Sequence, residues 1–399
     1  MIQVTDTIEG SGFPLGFCVR RCGERPRIFG GATGQSVFRV DARALGGHQK
    51  EAIVNEGEQG PAWRLTSDEG PYLQGSDLAP FPLGFFNAGL QGDLLGRIRD
   101  FADARDIRLG TVTVELVNSY SFSGSFFKGD GRGNAEPAQI RVVIDSPVSP
   151  DKAAHLINAA VRASPALAAM RVPLTCTFAL YVNGVRRAVS SAASSAAPDA
   201  PDPLKTYGGP PQQLADGKDL DGIIAKIPQP PVETKVMPSA GARVELQVLG
   251  KGRLVDPQGT AAMETSLKAP PGSHFGFRTD ERTRNPQAPS GLALLSAGVS
   301  FCYLTQLLRY TEYLKYKVRA IRLVQYNPFE LSAAGDGSLV GGAGPADTHL
   351  FLHGDEPDEV MQRLLVMGAQ TCYLHAALRA SLPPVVSAEL NGSPLPLAG

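Results

Sequence analysis

Two of the five cysteines stand where a repeated pattern gives each half of the chain a pair of comparable positions. Ala88-Gly89-Leu90-Gln91-Gly92-Asp93 leads into a helical stretch in the first half, and Ala297-Gly298-Val299-Ser300-Phe301-Cys302 leads into one in the second. Asp93 and Cys302 each lie five residues past the shared Ala. Further on, Ser164 precedes Arg171 by seven residues and Cys372 precedes Arg379 by seven. The spacing pairs Asp93 with Cys302 and Ser164 with Cys372. Two thiols held close, one of them with a depressed pKa, can attack an electrophile and then close a disulfide. A carboxylate and a hydroxyl form no redox couple, so the first half reads as scaffold, with Asp93 reaching toward a shared pocket.

The remaining candidates carry less. Free cysteine is among the most buried residue types, and packing is its bland role. Cys176 lies in an apolar strand and fits that role. Cys18 and Cys22 are not spaced C-x-x-C and no second ligand pair follows, so no metal site is expected. His375 falls one helical turn from Cys372, close enough to reach its sulfur or to pair with Cys302. Phe301, Tyr303, Tyr310, Tyr313, Tyr316 and Tyr373 are available to line a pocket for an apolar or aromatic substrate, against core packing as the default. The runs Gly129–Gly133 and Gly335–Gly337 lie between strands without a following helix, so they read as hairpin loops rather than phosphate cradles.

These residues need elements to hold them. In the first half, Val37–Val40, Ala52–Val54 and Ala62–Leu65 alternate as strands, and residues 86–106 form a helix with Leu90, Leu94, Leu95, Ile98 and Phe101 on one face. Strands at Gly110–Val117 and Ala138–Asp145 precede a helix entered through Ser149-Pro150-Asp151. Leu174–Val182 then ends in the turn signal Asn183-Gly184. The second half repeats the order: a strand Arg243–Leu249, a helix Leu292–Tyr316, strands Val318–Val324 and His349–His353, a helix after Asp358, and Val385–Leu390 ending in Asn391-Gly392. The expected fold is α+β, with an antiparallel sheet and two long helices in each of two domains, residues 25–190 and 240–396. Residues 191–239 are rich in Ala, Ser and Pro and read as a flexible linker, with one short helix at Leu220–Ile227, long enough for the domains to dock side by side.

Composition sets the outer bounds. At 399 residues the length prior is two to three domains, which two copies of similar size satisfy. The chain is 43% hydrophobic and 19% charged, which excludes a largely disordered protein. A formal charge of −1 provides no global field toward nucleic acid or an anionic membrane. No apolar run reaches the roughly 18 residues of a membrane span. No signal peptide is visible at Met1–Asp6, and cysteines are sparse and odd in number, so a cytoplasmic location is expected.

The order of elements, with Ala297–Cys302 entering one helix and Thr371-Cys372-Tyr373-Leu374-His375-Ala376-Ala377-Leu378-Arg379 on the next, resembles the OsmC and organic hydroperoxide resistance family. The resemblance covers roughly 320 residues, as a tandem duplication with a degenerate first copy. It implies an internal pseudo-dimer standing in for the family's swapped dimer, with the active site at the interface. It further implies that Cys302 is the peroxidatic thiol and Cys372 the resolving one. Their disulfide would be reduced by an external thiol, without metal or organic cofactor. The family's Glu, about ten residues before the first Cys, is replaced by Leu292 here and by Leu83 in the first copy. Arg253 is the nearest match to its thiolate-stabilising Arg, with Arg278, Arg282 and Arg284 as alternatives. The sequence therefore leads to a thiol-dependent peroxidase with Cys302, Cys372, His375 and Arg253 as catalytic residues. Arg278, Phe301, Tyr303 and Asp93 would contact a small-molecule substrate. The missing Glu and the added His375 leave two alternatives: cysteine-nucleophile chemistry on a small metabolite by substituent removal or sulfur transfer, and a non-catalytic binding protein. No nucleic-acid or membrane partner is expected; further homo-oligomerisation stays open.

Overall fold

The computed structural model describes residues 6–21, 24–209, 211–230, 244–256 and 259–397. Its first half runs α1 (Ile8–Ser11), β1 (Gly16–Arg20), β2 (Gly34–Ala44), β3 (Lys50–Glu56), β4 (Ala62–Ser67), α2 (Pro82–Asp103), β5 (Thr111–Ser123), β6 (Arg132–Ala135), β7 (Gln139–Asp145), α3 (Pro150–Ala163), α4 (Pro165–Arg171), β8 (Thr177–Val182) and β9 (Val185–Arg187). After β10 (Ile224–Lys226) the same succession returns as β11 (Val244–Leu254), β12 (Thr260–Ala269), β13 (Gly272–Asp280), α5 (Gly291–Tyr313), β14 (Val318–Ala333), β15 (Leu339–Ala343), β16 (Asp347–Gly354), α6 (Asp358–Thr371), α7 (Tyr373–Arg379), β17 (Val385–Leu390) and β18 (Ser393–Leu395). The mixed α+β class expected from the sequence is present.

Neither half closes a sheet of its own. One sheet runs β1-β4-β3-β2-β14-β16-β8-β9 and the other β10-β13-β12-β11-β5-β7-β17-β18, with β15 on β14 and β6 on β5. The central pairings, β2 with β14 and β11 with β5, join the two halves, and so do the parallel pairs β16 with β8 and β17 with β7. Side-by-side docking is therefore corrected to an exchange of strands. A strand edge leaves a row of unpaired amides and carbonyls, and the long inner edges of β2 and β11 find their partners in the opposite half.

The two central helices lie antiparallel between the sheets, α5 against β2 and β3 and α2 against β11 and β12. Glycines set their separation. A Cβ on Gly89 would come within 2.6 Å of the Leu295 amide nitrogen, and one on Gly298 within 2.9 Å of the Phe86 nitrogen. At the same crossing, a Cβ on Gly291 would meet the Asp93 nitrogen at 2.3 Å. Helices that approach this closely bury nearly their whole circumference, polar residues such as Asp93 and Arg309 included. The expectation that no segment is apolar enough to span a membrane is corrected for α5, which meets that test by length and composition while its apolar window is entirely buried in the protein.

Several boundaries shift for identifiable reasons. α2 begins at Pro82, whose fixed φ suits a first helical position, rather than at residue 86. The expected helix through Cys372 is two helices, because Cys372 is extended (φ −68°, ψ 119°) and ends α6 while capping α7. Asn183-Gly184 and Asn391-Gly392 form the expected tight turns, with positive φ at both residues of each. Gly129 and Gly335–Gly337 fall in the hairpin loops β5–β6 and β14–β15.

The linker is corrected most. Its described residues form a strap over the face of the first sheet turned away from the helices. There Ala179, Tyr181, Ala200, Val324 and Phe351 make a second, smaller apolar cluster. Asp202 pairs with Arg322 at 2.7 Å, the buried Tyr207 hydroxyl donates to the Asp41 carbonyl at 2.8 Å, and Asp219 accepts the Cys18 amide at 2.9 Å. Instead of the expected short helix, Ile224–Lys226 is a strand on β13, where an open edge offers hydrogen bonds that a lone helical turn would forgo. Residues 231–239 of the linker, Cys22, and Arg243 at the expected start of β11 lie outside the described residues.

Candidate active site at the helix break

Cys302 sits in the middle of α5, and Cys372 occupies the break between α6 and α7; both are buried. The Cys372 sulfur accepts the His375 amide at 3.5 Å, an N-cap made by a thiol. Arg379, in the last turn of α7, braces the break by donating to the Ala369 carbonyl at 3.0 Å. Burial, and after it the neighbouring Cys302 thiol, hold the Cys372 thiol well above the ordinary thiol range, so Cys372 stays protonated.

The first half builds the same geometry with oxygen. Ser164 breaks α3 from α4 and its hydroxyl caps Leu167, as Cys372 caps His375. The Ser164 hydroxyl donates to Asp93 Oδ2 at 2.5 Å, and the Ala166 amide donates to the same oxygen at 3.2 Å. The correspondence of Asp93 with Cys302 and of Ser164 with Cys372 is therefore realised as a hydrogen bond in one half and a thiol pair in the other. Asp93 itself is held against Arg97 (3.4 Å) in its own half, away from the thiols.

Sequence spacing missed the charged residues beside the thiols. Lys50, on β3, donates to Thr305 Oγ1 at 2.8 Å and lies 3.4 Å from Glu69 Oε1. Thr305, one turn past Cys302, lies 2.5 Å from the same carboxylate oxygen, and the Tyr72 hydroxyl donates to the other at 2.7 Å. Glu69 thus brings a carboxylate to the neighbourhood of Cys302 from the opposite half of the chain. No linear pattern links it to position 302. Arg309, seven residues past Cys302 on the same helical face, is 2% exposed and stacks 4.1 Å over the Phe126 ring. It donates to Gln306 at 3.1 Å and pairs with no carboxylate among the described residues. Tyr373 lies among these groups: burial raises its phenol, Arg309 opposes that, and the charges of Cys302 and Glu69 reinforce it. The i, i+7 spacing of Cys302 and Arg309 was the one signal available in the sequence.

The expected arginines lie elsewhere. Arg253 is exposed on β11 and shares with Arg278 a cleft of about 480 Å³ on the outer face of the second sheet. The neighbouring Gly252 faces Leu95 and Gln91 on the inner side, so strand alternation turns Arg253 outward, away from the helices. Arg282 is held by Asp280 at 2.5 Å and the exposed Arg284 by Glu24 at 2.8 Å. The His375 ring packs on Tyr303 (5.0 Å) and Phe178 (5.6 Å), and neither ring nitrogen has a hydrogen-bond partner among the described residues. Burial, with Arg379 nearby, lowers its pKa to about 3, so it remains neutral. Only its amide, not its ring, is bonded to the Cys372 sulfur. Phe301 packs edge-on against Phe85 at 5.3 Å in the helix crossing, and Tyr303 donates to the Leu365 carbonyl at 3.1 Å. Cys176 is buried at the start of β8 as a packing residue, its thiol pushed up to about 11 by burial. Burial likewise pushes Cys18 to about 12.

Neither a family model nor a curated protein matches the chain. Among solved structures it is similar to an OsmC-like hydroperoxide resistance protein from Jannaschia sp. CCS1, with 24% identity, 32% of this chain and 81% of that chain covered, and a TM-score of 0.21.

Proposed function

We propose that the protein is a thiol-dependent oxidoreductase that reduces an organic hydroperoxide, or a similar small organic substrate, through Cys302 and Cys372. The observation that carries this reading is the placing of Cys372 at a helix break near the buried Cys302, whose face of α5 also carries the buried Arg309, paired with no carboxylate among the described residues. A buried cation favours nearby anions, and α5 offers Arg309 both Glu312 and, on this reading, a thiolate on Cys302. Cys302 then attacks the terminal peroxide oxygen: the S–O bond forms, the O–O bond breaks, and the remaining oxygen leaves as an alcohol after gaining a proton. Cys372 displaces water from the resulting sulfenic acid, and two equivalents of an external thiol restore the pair while forming their own disulfide. The shared element order and the matching sheet orders support a tandem duplication whose second half takes the place of a partner subunit.

The test is the alkylation rate of Cys302 and Cys372 against pH, read by mass spectrometry with and without cumene hydroperoxide. Cys302 alkylating as a low-pKa thiol, with loss of that reactivity and formation of the 302–372 disulfide on peroxide addition, is the expected result. Cys302→Ser abolishes peroxide consumption, while Cys372→Ser leaves a trapped sulfenic acid. Two slowly alkylating thiols indifferent to peroxide would refute the reading and leave a binding role. A stable substrate adduct on Cys302 formed without peroxide would replace it with nucleophilic chemistry on another metabolite.

A further inference from the structure

The outer faces of the two sheets differ at one matching row of residues. In the first sheet the row runs Arg322, Arg43, Glu51, Thr66 across β14, β2, β3 and β4. In the second it runs Thr113, Arg253, Ala262, Arg278 across β5, β11, β12 and β13. The other ends of the rows reach Tyr181 and Glu389, each two residues before its Asn-Gly turn, which fixes the register of the comparison. The first row is filled from within the chain. Glu51 accepts from Arg43 Nε at 2.7 Å and from Arg64 Nε at 2.9 Å. Asp202 of the strap pairs with Arg322 at 2.7 Å, and the Tyr207 ring lies 4.7 Å from the Arg43 guanidinium.

The second row has Ala262 where Glu51 stands. Arg253 and Arg278, on either side of it, have no ion-pair partner among the described residues. Two strand spacings of about 4.8 Å put these arginines roughly 10 Å apart at Cα, close enough for one carboxylate to be gripped from both sides. Other charges of the cleft are engaged elsewhere or stand apart: Lys251 lies 3.9 Å from Glu115, Glu264 lies 3.5 Å from His274, and Asp221 is exposed. The floor is open, since a Cβ on Gly276 would meet nothing nearer than Ile227 at 3.7 Å.

We propose that this cleft, of about 480 Å³, binds a small monocarboxylate with a short apolar body. The carboxylate takes, between Arg253 and Arg278, the place that Glu51 fills in the first sheet. Ala225, Ala262 and Ile227 offer the carbon chain an apolar wall. Asp221 and Glu264 in the same lining repel a second negative charge, which selects against phosphate and dicarboxylates. The site lies on the face turned away from the helices, so it is separate from the thiols and does not depend on their chemistry.

Butyrate is the probe, followed by saturation-transfer NMR on the full chain, with phosphate and succinate as competitors. Wild type should bind it saturably. Arg253→Gln and Arg278→Gln should each weaken binding about tenfold or more, as for loss of a charge-assisted hydrogen bond. Ala262→Glu supplies the carboxylate from within, so butyrate binding should vanish while the thermal midpoint holds or rises. No saturable signal in wild type, or butyrate binding in A262E equal to wild type, overturns the proposal. Unchanged affinity in both glutamine variants does so whatever A262E does to stability. Tighter binding of phosphate or succinate than of butyrate overturns the monocarboxylate assignment.

Discussion

Glu281 accepts the Gly291 amide at 2.7 Å at the head of α5, and its carboxyl is pushed up to about 8. Burial is the main cause; Arg25 opposes it, and Asp93 and Glu56 add to it. The consequence for stability has a definite sign. Below about 4.5, the ordinary carboxyl value, folded and unfolded states are both protonated and the contribution is complete. From there to about 8 the folded protein keeps a proton that the unfolded chain releases, so stability falls as pH rises and levels off above it. Glu281→Gln keeps the carbonyl acceptor and cannot ionise. Urea unfolding should therefore show that E281Q loses most of the decline between pH 5 and 8 and exceeds wild type at pH 8. A decline of equal slope in E281Q would assign it to other groups. At this scale the thiols and their Asp93 and Ser164 counterparts were legible in the spacing. Lys50 and Glu69 were not, because both reach the site from the other half by strand exchange.

At the scale of elements, the helix crossing depends on the absence of side chains. Gly89→Ala places a Cβ against the backbone of α5, which cannot swing aside as a flexible side chain can. The expected loss is about 1–3 kcal/mol or more, read from denaturant midpoints. Gly34→Ala on β2 meets nothing within 4 Å and should stay within about 0.5 kcal/mol of wild type. Comparable losses in both variants would remove the crossing as the cause. The break at Ser164 is visible in the sequence as Ser-Pro, since Pro165 suits the first helical position. Its counterpart at Cys372 has Tyr373 in that place, and the 3.6-residue periodicity runs through the break unmarked.

For the whole molecule, the strap is an outer covering, while the strand pairings between halves run through the middle of both sheets. Specific cleavage after Gly209, engineered with a protease site, should yield fragments that co-elute in native size exclusion and part only in denaturant. Fragments that separate without denaturant would mean that the halves are held by the strap alone. The described strap also shows why composition misled: Ala200, Tyr207 and Ile224 are scattered among polar residues and prolines, yet each buries on a sheet that it reaches only in the folded chain.

The sequence by itself determined the α+β class, the hairpin turns at Asn-Gly, the correspondence of the two central helices and much of the element order, though not the strands β12, β13 and β15. These depend on local propensity and short periodicities, which neighbouring residues carry. Only the tertiary structure decided which half each strand joins, that Arg253 faces outward while Glu69 and Lys50 face the thiol region, and that His375 turns its ring onto Tyr303 and Phe178. The physical reason is that sheet edges and buried polar groups are satisfied by whatever partner the fold brings near, and for the central strands that partner stands a hundred residues or more away along the chain.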